Sequence, residues 1–272
     1  MPRRITHAEA AEQAAALGFR AIVVKCHYHD TVTDVLSMAP LLSGVSTRVY
    51  GGIALNSQVG GLNPHAVDRC LRMGGRVIWF PTISSPAHLC HAAEDPAVQS
   101  HFQPLGMMQS DEVPIFGPDG DLLPAVYTII EQAKEAGALI STGHLGPEAA
   151  RALVEAAAAA GHRRLILSHP NYVVDVGAKD AIAMAELGAV IEHEVAMYHN
   201  DKIFPLQVLL DWIELVGPEH TALGSDLGQV GNPLPMEGYL AIVGRLLDSG
   251  VPERDIRLMV HDNPARLIGL DA

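Results

Sequence analysis

Basic residues are scarce in this chain: 18 lysines and arginines stand against 31 acidic residues, for a formal charge of -13 over 272 residues, and no Lys/Arg run occurs. Nothing offsets phosphate repulsion, so nucleic acid and anionic membranes are not expected partners and a small molecule is. Cysteine is sparse too. Cys26, Cys70 and Cys90 are odd in number and lack paired metal spacing, which points to reduced thiols in a cytoplasm rather than a disulfide frame. No apolar run approaches the roughly 18 residues of a membrane span, and Met1-Pro2-Arg3-Arg4 leads into a helix with acidic residues instead of a secretory core. Aromatics are 5% of the chain, so the core has to be built from alanine, leucine and valine.

What is present is a regular alternation of helical and strand-like runs. Thr6-His7-Ala8-Glu9 has capping-box form and starts an alanine-rich helix that should stop at Gly18. Strand-like runs follow at Phe19 to His27, Thr47 to Asn56, Arg76 to Thr82, Leu139 to His144, Leu165 to His169, Ala189 to Glu194 and Thr221 to Asp226, with helices between them. Asn63 should cap the helix that begins at Pro64. Alternation of this kind predicts a parallel sheet with right-handed crossovers, and the length suits one (β/α) barrel, which takes about 250 residues. With no composition break, one domain over 1–272 is expected. The stretch 83–123 is too long for an ordinary connection and reads as a rim insertion, with a hairpin turn at Gly117-Pro118-Asp119-Gly120.

Such a barrel has about eight strands, and only seven runs can be placed. The opening helix sits where the helix after a first strand should be. The expectation is therefore a TIM-type (β/α)8 barrel, incomplete or distorted at its N-terminal strand, with the chain beginning downstream of a missing strand. The runs around Ile22 and Leu223 would then have open edges, which another segment or a second subunit should cover. A homo-oligomer is the expected assembly.

The chemistry collects where strands end. His144, His169 and Asp226 each close a strand-like run, the place where α/β barrels present catalytic side chains. Two imidazoles and a carboxylate on one rim suit a divalent metal. If the first run stays extended, Lys25, His27 and His29 share one face, so His27 and His29 could add two ligands. Lys25 is a candidate base, substrate-carboxylate anchor or Schiff-base lysine, or a salt-bridge partner of Glu192 or Asp226. Glu192, His193 and Glu194 end another run, where alternation separates His193 from the two glutamates; at least one of them should face the site. Glu192, His193, Tyr198 and Asn56 are the expected substrate contacts. His88, Cys90, His91 and His101 in the insertion could bind a second metal, although their spacing is not that of a structural zinc site.

In order and spacing, VGGLN-P, W-x-PT, TGH, SHP, IEHE and SDLGQ, with His261-Asp262-Asn263-Pro264 near the end, resemble the amidohydrolase superfamily of metal-dependent hydrolases, in an uncharacterised branch. The resemblance implies a (β/α)8 barrel holding one or two divalent ions, most often zinc, with manganese or iron as alternatives. It implies ligands at His144, His169 and Asp226, and a His-x-His pair on the first strand, a spelling found here only at His27 and His29. No lysine or glutamate stands near Phe80 to Thr82, which argues against a carbamylated-lysine binuclear centre. Asp226 would bind the ion and take a proton from its water. The implied reaction is hydrolysis of an amide, ester or lactone of a small molecule. A decarboxylase or hydratase on the same scaffold, or a binding protein with a degenerate site, are the alternatives.

Overall fold

The capping box at Thr6 forms as its spelling requires: Thr6 Oγ1 accepts from the Glu9 amide (3.2 Å), and the Thr6 amide donates to Glu9 Oε2 (2.8 Å). It starts α1 (His7–Ala16), and Gly18 (φ 77°) turns the chain out of it. The computed structural model describes residues 3–94 and 107–270.

Two parallel sheets follow. β1 (Ala21–Val23) pairs with β2 (Arg48–Tyr50), with the short α2 (Val32–Ser37) between them. The second sheet runs β3 (Gly52–Ala54), β4 (Val77–Trp79), β5 (Leu139–Ser141), β6 (Leu165–Ser168), β7 (Val190–Glu194) and β8 (Thr221–Gly224), in chain order. The single strand expected from Thr47 to Asn56 is thus divided at Gly51, and the reason is local crowding. A Cβ on Gly51 would lie 2.7 Å from the Val32 amide nitrogen. Buried Thr31 takes the neighbouring ladder position: its amide donates to Gly52 O (3.0 Å) and its hydroxyl to Val24 O (2.7 Å), while the Gly52 amide donates back to the hydroxyl (3.0 Å). Among the described residues β1 therefore keeps only β2 as a strand partner. This is the form that the distortion at the N-terminal strand takes.

Helices α3 (Pro64–Arg72), α4 (Pro86–Glu94), α5 (Pro124–Ala136), α6 (Pro147–Ala159), α7 (Ala178–Glu186), α8 (Val195–Tyr198), α9 (Leu206–Val216), α10 (Pro235–Asp248), α11 (Glu253–Arg257) and α12 (Asn263–Ile268) complete the order. Asn63 Oδ1 accepts from the His65 and Ala66 amides at the start of α3, as expected. Strand alternation sorts the core. Ile53, Ile78, Ile140, Leu165, Leu167 and Ile191 pack with Val67, Ile130, Leu153 and Met184 of the helices, whereas Ala54, Val77, Trp79, Leu139, Ile166, Val190 and Ala222 meet Leu267 of α12. Each buried valine, leucine, isoleucine or methionine among them contributes roughly 1.5–3 kcal/mol relative to exposure.

Among the described residues no strand ladder joins β8 to β1, and the open edge is covered by the chain itself. Asn263 Nδ2 donates to Thr221 O (2.7 Å) and Tyr239 Oη to Leu223 O (3.2 Å), so two edge carbonyls are satisfied by side chains. The Phe19 ring meets Tyr239 edge-on at 5.5 Å, and Arg3 forms an antiparallel bridge with Gln229 just beyond β8. In the rim insertion, α4 is an element the spelling did not announce, and the expected hairpin is reduced to a Phe116–Leu122 bridge around a turn. His101 lies outside the described residues. No helix among the described residues is long and apolar enough to cross a membrane.

Candidate active site

Beyond β5, Gly143 adopts φ 60° and passes so close to the Phe80 and Pro81 carbonyls that a Cβ would collide with them, and the His144 amide donates to Pro81 O (2.9 Å). The glycine in TGH is therefore what lets His144 reach the rim. Beyond β6 and β8, His169 (φ 29°) and Asp226 (φ 45°) hold left-handed backbone although neither is glycine. Each such residue costs about 1–3 kcal/mol, and strain of this kind gathers at functional sites.

The imidazoles of His27, His144 and His169 come together. Ring centroids are 4.9 Å apart for His144 and His169 and 5.9 Å for His27 and His144. Each ring has its Nδ1 engaged: His27 with Thr82 Oγ1 (2.8 Å), His144 with His88 Nδ1 (2.9 Å), and His169 with the Tyr172 carbonyl (3.0 Å). A carbonyl only accepts, so the neutral His169 ring carries its proton on Nδ1 and its lone pair on Nε2. Burial pushes His169 down to about 4, with the Lys25 charge adding to it. Burial likewise holds His27 and His144 well below the usual histidine range, helped by Lys25 at His27 and by His169 at His144. All three are neutral at pH 7.

Neutral imidazoles, each with one nitrogen held by a neighbour, are donor chemistry that zinc takes, while Asp226, beyond β8, is exposed. Two imidazoles on one tetrahedral ion have centroids roughly 5 Å apart, given Zn–N bonds of about 2.1 Å. The His144–His169 spacing of 4.9 Å matches, while His27–His144, at 5.9 Å, is wider. Among the described residues no three His, Cys, Asp or Glu side chains converge into a complete metal cage.

His29 does not join them. β1 ends at Val23, the chain then bends, and the alternation that would align His29 with His27 is lost; the side chain is half exposed, with Nε2 2.7 Å from Asp34 Oδ2.

Lys25 is coupled electrostatically both to the imidazoles and to Glu192. Lys25 Nζ stands 5.6 Å from the centre of the Trp79 ring, within cation–π range. Glu192 Oε2 accepts from Ser168 Oγ (3.1 Å), itself 2.8 Å from Ser141 Oγ. Burial raises Glu192, opposed by Lys25; burial and then the Glu192 carboxylate push Glu194 well above the usual carboxylate range. Burial and mutual repulsion thus both favour the protonated form of Glu194.

Three expected substrate contacts are committed elsewhere. Asn56 is fully buried: Nδ2 donates to His27 O (2.9 Å) and Thr82 Oγ1 (2.7 Å), and Oδ1 accepts from the Thr82 and Ser84 amides (2.8 and 3.1 Å). It ties the His27 segment to the end of β4. His193 takes the other face of β7, with Nδ1 3.0 Å from Tyr198 Oη and its ring 5.7 Å from Trp212. Tyr198 is buried and its hydroxyl also reaches Asn171 (3.3 Å). Of the insertion candidates, Cys90 is exposed, and His88 is turned inward against His144. His88, expected only as a second-metal candidate, and Thr82, not expected at all, stand beside the imidazoles. Ser85-Pro86 before His88 was a helix-start signal that could have found the first, since Ser85 Oγ accepts from the His88 amide (3.1 Å).

The model of a family of unknown function (DUF6282) matches residues 1–192, a stretch that holds Lys25, His27, His144 and His169 and ends at Glu192. No curated protein sequence matches the chain significantly. Solved structures do match. A variant of a Deinococcus radiodurans PTE-like lactonase aligns with TM-score 0.60 and 15% identity over 96% of this chain and 85% of that one. A variant of an organophosphorus hydrolase from the same organism gives 0.60 and 14% over 96% and 82%. An amidohydrolase from Pseudomonas aeruginosa gives 0.55 and 12% over 96% and 82%. At these identities the likeness concerns the fold, and it agrees with the amidohydrolase-type barrel that the motifs suggest.

Proposed function

The chain belongs to the family of unknown function DUF6282, and on the barrel that it folds into we propose a metal-dependent hydrolase acting on an amide, ester or lactone of a small molecule. The observation that carries this reading is the cluster of His27, His144 and His169, three neutral imidazoles whose Nδ1 atoms are all engaged, with His144 and His169 buried and His27 partly so. His27, His144, His169 and Asp226 would hold the ion, zinc first, with manganese or iron as alternatives. When bound, such an ion polarises a carbonyl and lowers the pKa of water toward about 7.

The chain supplies the rest. Asp226, on its strained turn, would accept a proton at its carboxylate. Lys25 offers a fixed ammonium to the carbonyl oxygen or to a carboxylate on the substrate. The Glu192–Glu194 pair holds a proton at a carboxyl oxygen, available to a leaving group. The hydrolase-type fold of the structural neighbours supports the reading without choosing the bond.

The test is elemental analysis of the purified protein beside His144→Ala and His169→Ala, followed by a panel of lactones, esters and amides. About one or two equivalents of metal in the wild type, lost in both variants, together with metal-dependent turnover, is expected. Metal retained in both variants would refute the ligand assignment.

A further inference from the structure

His88 and His144 form a hydrogen-bonded imidazole pair, and the proposed reaction assigns a part to His144 alone. His88 is 2% and His144 4% exposed, their Nδ1 atoms are 2.9 Å apart, and the rings lie nearly parallel (28°) with centroids 4.9 Å apart. Ser85 fixes both backbones: its hydroxyl donates to His144 O (2.6 Å) and accepts from the His88 amide (3.1 Å). Two bare lone pairs at that distance repel, so exactly one of the two Nδ1 atoms must carry a proton.

We propose that His88 is a positioning residue for His144: its Nδ1 accepts the His144 Nδ1 proton, which commits His144 to one tautomer and turns its Nε2 lone pair toward the barrel mouth. The choice of donor rests on the reading of the rim as a metal site, because a ring protonated on Nε2 could not ligate. His169 shows the same device in this structure, with the Tyr172 carbonyl as acceptor. An imidazole in that role differs from a carbonyl in one respect. It can itself change tautomer, so His88 reports any proton displaced from His144. Beyond the helix start at Ser85-Pro86, the motif spelling does not point His88 at His144, since that contact depends on how α4 packs.

The experiment has two readouts besides turnover. Zinc affinity is measured by competition with a chromophoric chelator for the wild type, His88→Leu and His88→Asn; the asparagine oxygen can accept where Nδ1 did. Long-range nitrogen–proton spectra of metal-free, histidine-labelled protein report the tautomer of His144. Expected are a zinc affinity lower by roughly 10–100-fold in H88L, a value within a few-fold of wild type in H88N, and a His144 proton on Nδ1 in the wild type. Equal affinity in H88L and wild type overturns the proposal, and so does an H88N variant as weak as H88L, which would mean that packing alone was lost. If the wild type binds no zinc, the metal reading fails separately and the spectra still decide: a His144 proton on Nε2 overturns the inference, and one on Nδ1 that H88L abolishes sustains it. If H88L does not fold, H88N and the wild-type spectra carry the test.

Discussion

A methyl group placed on Gly224 would stand 2.5 Å from Glu194 Oε2 and 3.1 Å from Glu192 Oε1. The glycine in the run before Asp226 leaves room for the buried Glu194 carboxyl and the partly buried Glu192 carboxyl. Gly224→Ala should cost about 1–3 kcal/mol by overpacking. In a Glu194→Ala background the same change should cost less than half of that, read from denaturant midpoints as a double-mutant cycle. Equal costs in the two backgrounds would show that the glutamate is not what the methyl group meets.

His27 and His29 share a motif and not an environment. His27→Ala should weaken zinc binding at least about ten-fold, as expected for a lost ligand, and His29→Ala should leave it within about two-fold. Chelator competition on both variants measures this. A loss of similar size in His29→Ala would place that side chain at the metal.

Asn56 spends its whole amide on four groups of the His27 and Thr82 segments. Asn56→Ala should therefore destabilise the protein by about 3 kcal/mol or more, because several buried partners lose their bonds together. It should also weaken metal binding through His27. Thermal melts and metal content test the two effects, and an unchanged melting temperature would contradict the role given to this residue.

His193 sets a pH dependence whose sign is fixed. Burial lowers it to about 3, so between roughly pH 6.5 and 3 the unfolded chain binds a proton that the folded one refuses. Stability is thus present above about 6.5 and falls with pH by about 1.4 kcal/mol per unit across that window. Glu194, raised by burial and by Glu192, works in the opposite direction, since its protonation is favoured in the folded state. His193→Gln should flatten the acid side of a stability–pH profile taken with denaturant. A profile unchanged by the substitution would remove His193 as its cause.

Much of this was legible from local signals. Thr6-x-x-Glu9, Asn63-Pro64 and the apolar runs carry their own structural instruction, because caps and alternation act over a few residues. The same holds for His144, His169 and Asp226, each of which ends a strand-like run. What was not legible depends on distant chain. His29 leaves the shared face because Thr31 enters the ladder at Gly52. Asn56 is withdrawn by contacts to residues 27, 82 and 84, and His193 by Tyr198 and Trp212. His88 reaches His144 across 56 residues through a helix that lacks a strong periodic signature.

The seam between β8 and β1 has a mechanical meaning. Where backbone ladders run all the way round, the circumference of a barrel is set by strand register. Here the last interval is spanned by Asn263, Tyr239 and the Phe19 ring, which adapt by rotating instead of slipping a register. One side of the seam carries Lys25 and His27, and the other leads to Asp226. The two sides of this rim are therefore joined by side chains, and their separation is not fixed by a strand ladder.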